Sequence, residues 1–337
     1  MSKPKMMRAI RLDEVGPPEN LKLVEREVPT PGDDEVLIRI EYASMMFSDA
    51  QARQGIYFSP TPIPWFPGRE CAGVVEGVGK DVTRFKPGDR VMAMVQSGGC
   101  YAEYVTASAS PFKSITDPAD VLPLPDGASG DQALPYLMNF RFAHMLIHAY
   151  GKVRAGDTIF VHGATGGVGS MVVLQARSLG CRVISLCRSP KEAAYCMSLG
   201  SDFAFDTTSV DYVDAVLEST DGKGAQYSFN GVGGATLNED PRALAPWGEI
   251  LAYGYVAGKS TFDPFGNGAR RSVALKTFAF HDCFETGAFE ASTRAMLAWI
   301  ADRPSMRLSP VFPLEEASKA HHLLDEGKVM GKLGLKI

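Results

Sequence analysis

The stretch Asp157-Thr158-Ile159-Phe160-Val161-His162-Gly163-Ala164-Thr165-Gly166-Gly167-Val168-Gly169 predicts the fold class of this chain. Ile159 to Val161 form an apolar run with the length of a buried parallel strand. Beyond the glycines, apolar residues follow helical spacing at Val168, Met171, Val172, Ala176 and Leu179. The unpaired N–H groups of such a helix start attract anions, and glycines let a pyrophosphate reach them. Gly166 and Gly167 are therefore predicted backbone-approach positions, and Gly169 a position of close helix–strand packing.

By itself this turn is an incomplete fingerprint of nucleotide binding. Ala164 stands where the motif G-x-G-x-x-G has its first glycine, and a tight turn without a ligand is the alternative interpretation. A second apolar strand, Arg182-Val183-Ile184-Ser185-Leu186, follows at the distance expected within a βαβ unit. The pair of strands favours a dinucleotide-binding domain.

The composition is that of a folded globular protein and argues against nucleic acid as a primary partner. The chain has 337 residues, 45% of them hydrophobic, and a net charge of −5. Because there is no basic excess, neither nucleic acid nor an anionic membrane is an expected partner. No apolar stretch is long enough to span a membrane, and the first residues lack a signal-peptide core, so we expect a cytoplasmic location.

The six cysteines are scattered without C-x-x-C spacing. In a chain of this size that pattern predicts reduced thiols and no structural zinc site. They are Cys71, Cys100, Cys181, Cys187, Cys196 and Cys283.

Two structural regimes follow each other along the chain. From residue 7 to about 110, short apolar runs alternate with Pro/Gly turns, which predicts a partly closed β-barrel. Alternating strands and helices then predict a parallel sheet with strands at 158–162, 182–186, 203–205, 226–230 and 249–253. After residue 270 the pattern predicts a strand at 277–281, helices at 287–302 and 315–326, and a returning strand at 331–337. The predicted domains are residues 1–130, 131–270 and a C-terminal return at 271–337.

Several separated motifs together carry a family resemblance. They are Pro67-Gly68-Arg69-Glu70-Cys71-Ala72-Gly73, Lys86-Pro87-Gly88-Asp89-Arg90-Val91 and the closing Gly331-Lys332, in combination with the glycine turn. In this order they resemble the medium-chain dehydrogenase/reductase superfamily. The resemblance implies a GroES-like β-barrel domain and a Rossmann domain with a doubly wound parallel sheet. Asn139-Phe140 and the turn at 163–169 are similar to the zinc-free quinone oxidoreductase branch, which includes enoyl reductases.

This chain differs at three positions from the zinc-dependent alcohol dehydrogenases of the same superfamily. Those enzymes place a cysteine at Met46, a histidine at Arg69 and a cysteine near Leu137. Thioether, guanidinium and isobutyl groups do not form the tetrahedral N/S site that zinc requires, so we expect no metal. Hydride transfer to a conjugated acceptor remains, because it needs mainly orientation and stabilisation of oxyanion charge.

The end of the second predicted strand decides the expected cofactor. An NAD-specific fold offers an acid there, whereas this chain has Arg188, Ser189 and Lys191, which suit the 2′-phosphate of NADPH. A solvated loop with ordinary surface charges is the alternative. Asp206 would disfavour the phosphate if it lay in the same pocket.

Further cofactor-side residues are expected from the resemblance and from the ends of the later strands. Arg141 stands where the family has a small hydroxyl residue, so it is expected to contact a phosphate or an acidic substrate. The remaining positions are Asn139, Thr165, Gly166, Gly167, Val168, Asn230, Val232, Gly254, Tyr255 and Lys332.

Tyr57 matches the tyrosine that zinc-free relatives carry near the nicotinamide. It is the predicted proton donor, with packing on the cleft wall as the alternative, and Asp49 is expected to orient its loop by hydrogen bonding. The aromatic residues Phe58, Trp65 and Phe66 are expected to wall a flat apolar substrate or to pack in the core. Of the histidine pairs, 144/148 is expected to pack rather than bind metal, and 321/322 to lie on a solvated helix face.

The sequence therefore predicts a zinc-independent, NADPH-dependent reductase of a quinone or α,β-unsaturated carbonyl compound. One alternative is an enoyl-thioester reductase with Tyr57 as proton donor, and another is a non-catalytic NADPH-binding sensor or partner-binding protein. The expected partner is a small electrophilic substrate. By resemblance we also expect a homodimer, paired through an edge strand near 249–253.

Overall fold

The structure is a computed structural model that describes residues 5–109, 119–258, 262–263, 272–280, 282–302 and 305–337. The strands, numbered β1 to β15 in chain order, are Met6–Leu12, Leu21–Glu27, Glu35–Ser44, Glu70–Val78, Arg90–Val95, Tyr104–Ser108, Ala119–Pro123, Thr158–His162, Arg182–Cys187, Phe203–Asp206, Ala225–Asn230, Leu244–Ala252, Ala274–Thr277, Val311–Pro313 and Gly334–Lys336. The α-helices, α1 to α10, are Phe47–Gln54, Gly130–Leu137, Asn139–His144, Gly167–Leu179, Pro190–Ser198, Tyr212–Ser219, Thr236–Ala243, Asp282–Glu285, Ala288–Asp302 and Ala317–Asp325. Met145–Tyr150 continues α3 as a π-helical segment.

The chain divides into two compact units, and the first contains the β-barrel. Its main sheet has the order β14-β15-β3-β4-β5-β7, and β6 pairs with β3 outside this path. The hairpin of β1 and β2 joins this barrel through hydrogen bonds from Ile10 N to Tyr101 O and from Leu12 N to Trp65 O. The returning C-terminal strand is confirmed, because β15 pairs antiparallel with β3, Leu335 opposite Ala43.

The second unit is the predicted doubly wound sheet. Its order is β10-β9-β8-β11-β12-β13, and every neighbouring pair is parallel. The central strand β8 is apolar on both faces at Ile159, Phe160 and Val161, which are all buried. Parallel strands need crossover connections that cover the sheet, and the helices between the strands supply them. The five strands predicted between residues 158 and 253 are confirmed.

The unit boundaries differ from those predicted at 130/131 and 270/271. The first unit comprises residues 1–138 and 294–337, and the second residues 139–293. Helix α2 belongs to the barrel, because a Cβ on Gly130 would lie 2.8 Å from the Cβ of Ala72 in β4. Strand β13 belongs to the nucleotide sheet, because it continues the sheet beyond β12. Both elements follow their packing partners rather than the composition of the flanking segments.

Two predictions about the end of this sheet were wrong. The strand expected at 277–281 lies earlier, at Ala274–Thr277, and His281 lies outside the described residues. The segment near 249–253 is not an edge, since β12 has β11 on one side and β13 on the other. Among the described strands, β13 is therefore the edge on this side.

The solvated helix face expected at 321/322 is wrong for one of its two histidines. His321 is fully buried in α10, with its ring 5.9 Å from that of Tyr101, whereas His322 is exposed and pairs with Glu19. Neither ring nitrogen of His321 has a hydrogen-bond partner among the described residues. Burial first, and then the nearby Arg53 and His322, lower the pKa of His321 to about 3, so the ring is neutral.

All six cysteines are free and buried. In the part of the chain that the structure describes, no helix has the length and apolar character needed to cross a membrane. The helices predicted at 287–302 and 315–326 are confirmed as α9 and α10, the latter preceded by a 3₁₀ turn.

Candidate active site

The glycine turn connects β8 to α4 with the geometry of an anion site. Gly163 has φ of 61°, and α4 begins at Gly167 with Gly166 as its N-cap. No side chain caps this helix, so its first N–H groups stay available to a ligand. A Cβ on Gly169 would lie 2.2 Å from the carbonyl oxygen of Gly163, which confirms the predicted helix–strand packing.

Asn139 lies against the start of this helix. A Cβ on Gly167 would come within 2.5 Å of Asn139 Nδ2, whereas a Cβ on Gly166 would meet only Gly163 O, at 3.4 Å. Gly167 is therefore needed for the approach of Asn139, and Gly166 leaves open space above the backbone. A hydrogen bond from Gln175 Nε2 to Phe140 O, at 3.0 Å, holds the start of α3 against α4.

A buried hydrogen-bond network fixes the loop that follows β11. The Asp240 carboxylate accepts hydrogen bonds from Ser228 Oγ at 2.6 Å and Asn230 Nδ2 at 2.8 Å. Its other oxygen contacts Tyr212 OH at 2.9 Å and His162 Nε2 at 2.8 Å. Burial and the neighbouring Asp240 raise the pKa of Tyr212 well above its ordinary value, so the phenol stays protonated and donates.

Asn230 links this network to the loop backbone through its side-chain oxygen. Its Oδ1 accepts from the N–H groups of Val232 at 3.1 Å and Gly233 at 2.9 Å. The next strand end packs directly on this loop, because a Cβ on Gly254 would lie 2.3 Å from Gly231 O. The structure thus brings together Asn230, Val232 and Gly254 at the carboxyl ends of the strands, and the Tyr255 side chain that follows is half exposed.

Asp240 itself was not among the residues predicted from the sequence. In the sequence, Asp240 is only an acidic residue between Glu239 and Pro241, in the segment that forms α7. An acid at such a position is usually exposed, whereas Asp240 is fully buried beneath the strand ends. The network around it could be found only from the fold.

The residues predicted for the 2′-phosphate lie at the end of β9 and the start of α5. The Arg188 and Lys191 side chains are exposed, and Ser189 Oγ caps α5 by accepting from Glu192 N at 3.2 Å. Glu192 also lies 3.5 Å from Arg188 Nη2, a local acid not expected from the sequence. The Asp206 carboxylate stabilises its own turn, because its Oδ1 accepts a hydrogen bond from the backbone N–H of Thr208 at 3.0 Å.

Arg141 is placed differently from the other cofactor-side candidates. It is fully buried, with its guanidinium 4.7 Å above the ring of Phe289 and Nη1 3.5 Å from Thr293 Oγ1. This placement favours a packing role over the phosphate or substrate contact expected from the resemblance. Thr165, by contrast, lies buried within the turn itself.

In the barrel unit, Asp49 and Arg69 form a buried ion pair. Arg69 Nη1 lies 2.9 Å from Asp49 Oδ1, and Asp49 Oδ2 accepts from Met46 N at 3.0 Å and from Tyr101 OH at 3.3 Å. Burial raises the pKa of Asp49, and the Arg69 guanidinium opposes that shift. The bond to Met46 N fixes the first turn of α1, which agrees with the orienting role expected for Asp49.

Aromatic rings surround the same guanidinium. Arg69 Cζ lies 4.9 Å from the ring centre of Tyr57 and 5.2 Å from that of Trp65. Trp65 is buried and donates to Ser97 O at 2.9 Å, so core packing is the correct interpretation for it. Phe58 is exposed, and Phe66 stacks on a guanidinium of β2.

A second buried ion pair joins Lys332 to Glu70. Lys332 Nζ donates to Glu70 Oε2, which also accepts from Ser44 Oγ at 2.5 Å. Lys332 therefore lies in the barrel unit, next to the Arg69-Glu70 motif. Oε1 of Glu70 has no hydrogen-bond partner among the described residues.

The residues present do not fit the catalytic zinc of the wider superfamily. At the position of a histidine ligand, Arg69 places a cation against Asp49, which repels a metal ion. Leu137 is buried and offers no donor atom. Across the described segments, no group of three or more His, Cys, Asp or Glu side chains is arranged to hold a metal ion. His144 and His148 have ring centres 4.3 Å apart, and burial lowers the pKa of both.

Comparison with known proteins agrees with this architecture. Residues 32–117 match the family described as alcohol dehydrogenase GroES-like domain, and residues 167–302 match the family described as zinc-binding dehydrogenase. A quinone oxidoreductase of Pseudomonas aeruginosa is 30% identical over 336 residues, which cover 97% of this chain and 98% of that protein.

Two solved structures show the same fold along the whole chain. The quinone oxidoreductase of Pseudomonas syringae pv. Tomato DC3000 superposes with a TM-score of 0.85 at 29% identity, over 98% of this chain and 100% of that one. A mycobacterial protein solved in complex with NADPH gives a TM-score of 0.86 at 30% identity, again over 98% and 100%. The chain therefore belongs to the quinone oxidoreductase family within the medium-chain dehydrogenase/reductase superfamily.

Proposed function

We propose that this protein reduces quinones or α,β-unsaturated carbonyl compounds with NADPH and without a metal ion. The observation that carries the proposal is the Arg69–Asp49 ion pair at the position of a zinc ligand, 2.9 Å between the charged atoms. It leaves no Lewis acid to polarise an alcohol, whereas a conjugated carbonyl accepts hydride without one. The quinone oxidoreductases among the relatives support the same reaction class.

NADPH supplies the hydride when it is bound to the Rossmann unit. The uncapped start of α4 would hold its pyrophosphate, and Gly166 leaves room for this close approach. Arg188 and Lys191 would bind the 2′-phosphate, since both side chains are exposed at the end of β9. The mycobacterial neighbour solved with NADPH supports this choice of cofactor.

The contact between Arg69 and Tyr57 supports a second candidate function, the reduction of enoyl thioesters. The Arg69 guanidinium lies over the ring of Tyr57, and a cation next to a phenol stabilises the phenolate that remains after proton donation. If Tyr57 is the donor, Tyr57→Phe lowers kcat strongly and leaves NADPH affinity unchanged. If kcat also stays unchanged, the role of Tyr57 is packing.

Steady-state oxidation of NADPH against a panel of acceptors tests the proposal. The panel contains benzoquinones, naphthoquinones, enones and enoyl thioesters, with saturated ketones as controls. Turnover of quinones or enones but not of saturated ketones is the expected result. NADPH binding without turnover of any acceptor would instead establish the non-catalytic sensor.

We further propose a cytoplasmic homodimer. Six free, buried thiols support a reducing compartment. Strand β13, which is an edge among the strands that the structure describes, offers backbone groups for pairing with a second copy.

Sedimentation equilibrium tests the dimer and its interface. Ala274→Pro disturbs strand pairing at β13 and should give a monomer if this edge is the interface. Ala204→Pro makes the same change in β10, the edge strand at the opposite end of the sheet, and should leave the dimer intact. A monomeric unaltered protein would contradict the proposal.

A further inference from the structure

We propose that Arg69 is a catalytic residue of this reductase, which hydrogen-bonds the carbonyl oxygen of the acceptor as negative charge develops there. This inference rests on the proposed function and names the group that replaces the metal ion in it. The acceptor gains two electrons and a proton as hydride, and its displaced π pair moves onto the carbonyl oxygen. A second proton, from water or Tyr57, completes the reduction.

The position of Arg69 is fixed before any substrate binds. Nη1 is held by Asp49, Nε donates to Gln96 O at 3.1 Å, and the rings of Tyr57 and Trp65 lie within 5.2 Å of Cζ. A donor that needs no reorganisation during the reaction is what stabilises an oxyanion best. Arg69 is therefore preorganised, although it is a long side chain.

One edge of the guanidinium remains available. Nη2 makes no hydrogen bond with any described residue, and it is not sealed from solvent. The side chain as a whole is only 8% exposed, so a bound acceptor would meet the charge in a poorly hydrated setting. There the interaction between a cation and a developing oxyanion is much stronger than in water.

If Arg69 served only to compensate buried charge, both neighbouring carboxylates, Asp49 and Glu70, would depend on its guanidinium. The geometry differs, because Glu70 already has its own cation in Lys332 and its own donor in Ser44. Asp49 likewise accepts from a backbone N–H of α1 and from a phenol in addition to Arg69. Arg69 therefore compensates Asp49 through Nη1 alone, and its Nη2 is left over for a ligand.

The test uses a neutral replacement of the whole pair. Arg69→Gln alone would leave Asp49 as an uncompensated buried carboxylate, so it is combined with Asp49→Asn and compared with Asp49→Asn alone. Arg69→Lys keeps the charge but not the planar fork. Arg84→Gln is the control, since Arg84 also donates to a backbone carbonyl and stacks on a ring, but is exposed elsewhere in the barrel unit.

The expected result is a loss of kcat of about 100-fold to 1,000-fold in the double variant, the usual effect of removing one oxyanion donor. The loss should grow as the acceptor becomes less electron-deficient, because a weak electrophile depends more on the missing donor. Arg69→Lys should retain part of kcat, while NADPH affinity and the thermal midpoint of the double variant should match those of Asp49→Asn.

Equal losses for all acceptors, or rates within a few-fold of Asp49→Asn, would overturn the catalytic role of Arg69. That failure differs from failure of the proposed function. In the latter case the unaltered protein itself would transfer no hydride to any acceptor, and the role of Arg69 would fall with it.

Discussion

At the scale of single residues, the proposed mechanism relies on fixed charges rather than on a bound metal ion. Arg69 and Lys332 each pair with a buried carboxylate in the barrel unit. On the other unit, Arg188 and Lys191 are exposed at the end of β9. Buried pairs of this kind contribute little net stability, but they hold charge in one place, which is what a binding site requires.

The exposed cations should determine the preference for NADPH. Replacing both with Arg188→Ala and Lys191→Ala removes two charge-assisted hydrogen bonds, so we expect Kd for NADPH to rise by about tenfold to several hundredfold. Kd for NADH should change by less than about threefold, because NADH has no 2′-phosphate. Fluorescence titration measures both constants. Arg177→Ala is the matched control, since Arg177 is also an exposed arginine of this unit and pairs with Asp202. Equal losses for the two cofactors would refute the assignment.

His321 should make stability depend on acid. The folded ring has its pKa lowered to about 3 from an ordinary 6.5, so the unfolded chain takes up a proton that the folded chain does not. Stability is thus fully present above pH 6.5 and falls as the pH decreases toward 3, by about 2 kcal/mol between pH 6.5 and 5.

Denaturant unfolding of His321→Phe at pH 7 and pH 5 measures this dependence. The loss of unfolding free energy on acidification should be smaller in the variant than in the unaltered protein. His322→Gln, which changes the exposed neighbour, should keep the larger loss. If His321→Phe loses as much stability as the unaltered protein, the ring is protonated when folded.

At the scale of elements, different glycines of the turn serve helix–strand packing and the approach of the cofactor. A Cβ at Gly169 would overlap the Gly163 carbonyl at 2.2 Å, whereas a Cβ at Gly166 would reach it only at 3.4 Å. The two glycines therefore have different tasks within one turn. Their substitutions should affect different measurements.

We expect Gly169→Ala to lower the free energy of unfolding by about 1–3 kcal/mol, the usual cost of overpacking. Gly166→Ala should leave the thermal midpoint nearly unchanged and weaken NADPH binding, because its methyl group would stand where the pyrophosphate approaches the backbone. Differential scanning fluorimetry and NADPH titration of both variants distinguish them. A stable Gly169→Ala protein, or full NADPH affinity in Gly166→Ala, would contradict this division.

The Asp240 network should couple helix α7 to the loop after β11. Asp240→Ala removes the acceptor that Ser228, Asn230 and Tyr212 share. Asn230 and Tyr212 also donate to Thr236, so the buried Ser228 hydroxyl is the donor that loses its acceptor, at a cost of about 1–3 kcal/mol. We expect strong destabilisation, and in the milder Asp240→Asn a weaker affinity for NADPH as the 230–233 loop loosens. Glu239→Gln, on the more exposed side of the same helix, is the control. Unchanged affinity in Asp240→Asn would remove this loop from the cofactor site.

At the scale of the whole molecule, the architecture was easier to predict from the sequence than the site. Strands with regular apolar runs, such as β8 and β9, were located from periodicity, because their burial depends on local pattern. The unit boundaries shifted because α2 and β13 are placed by partners distant in sequence. Asp240 and the burial of His321 and Arg141 were missed for the same reason, since a side chain's environment is built from separated segments.

For the whole molecule, reduction of conjugated carbonyl compounds should depend on NADPH and on no metal ion. The deciding measurement is the rate of NADPH-dependent quinone reduction by protein dialysed against a chelator, with its metal content determined by atomic emission. We expect the metal-free protein to keep its full rate and added zinc to give no increase. A rate that disappears with the metal and returns with zinc would contradict the metal-independent mechanism.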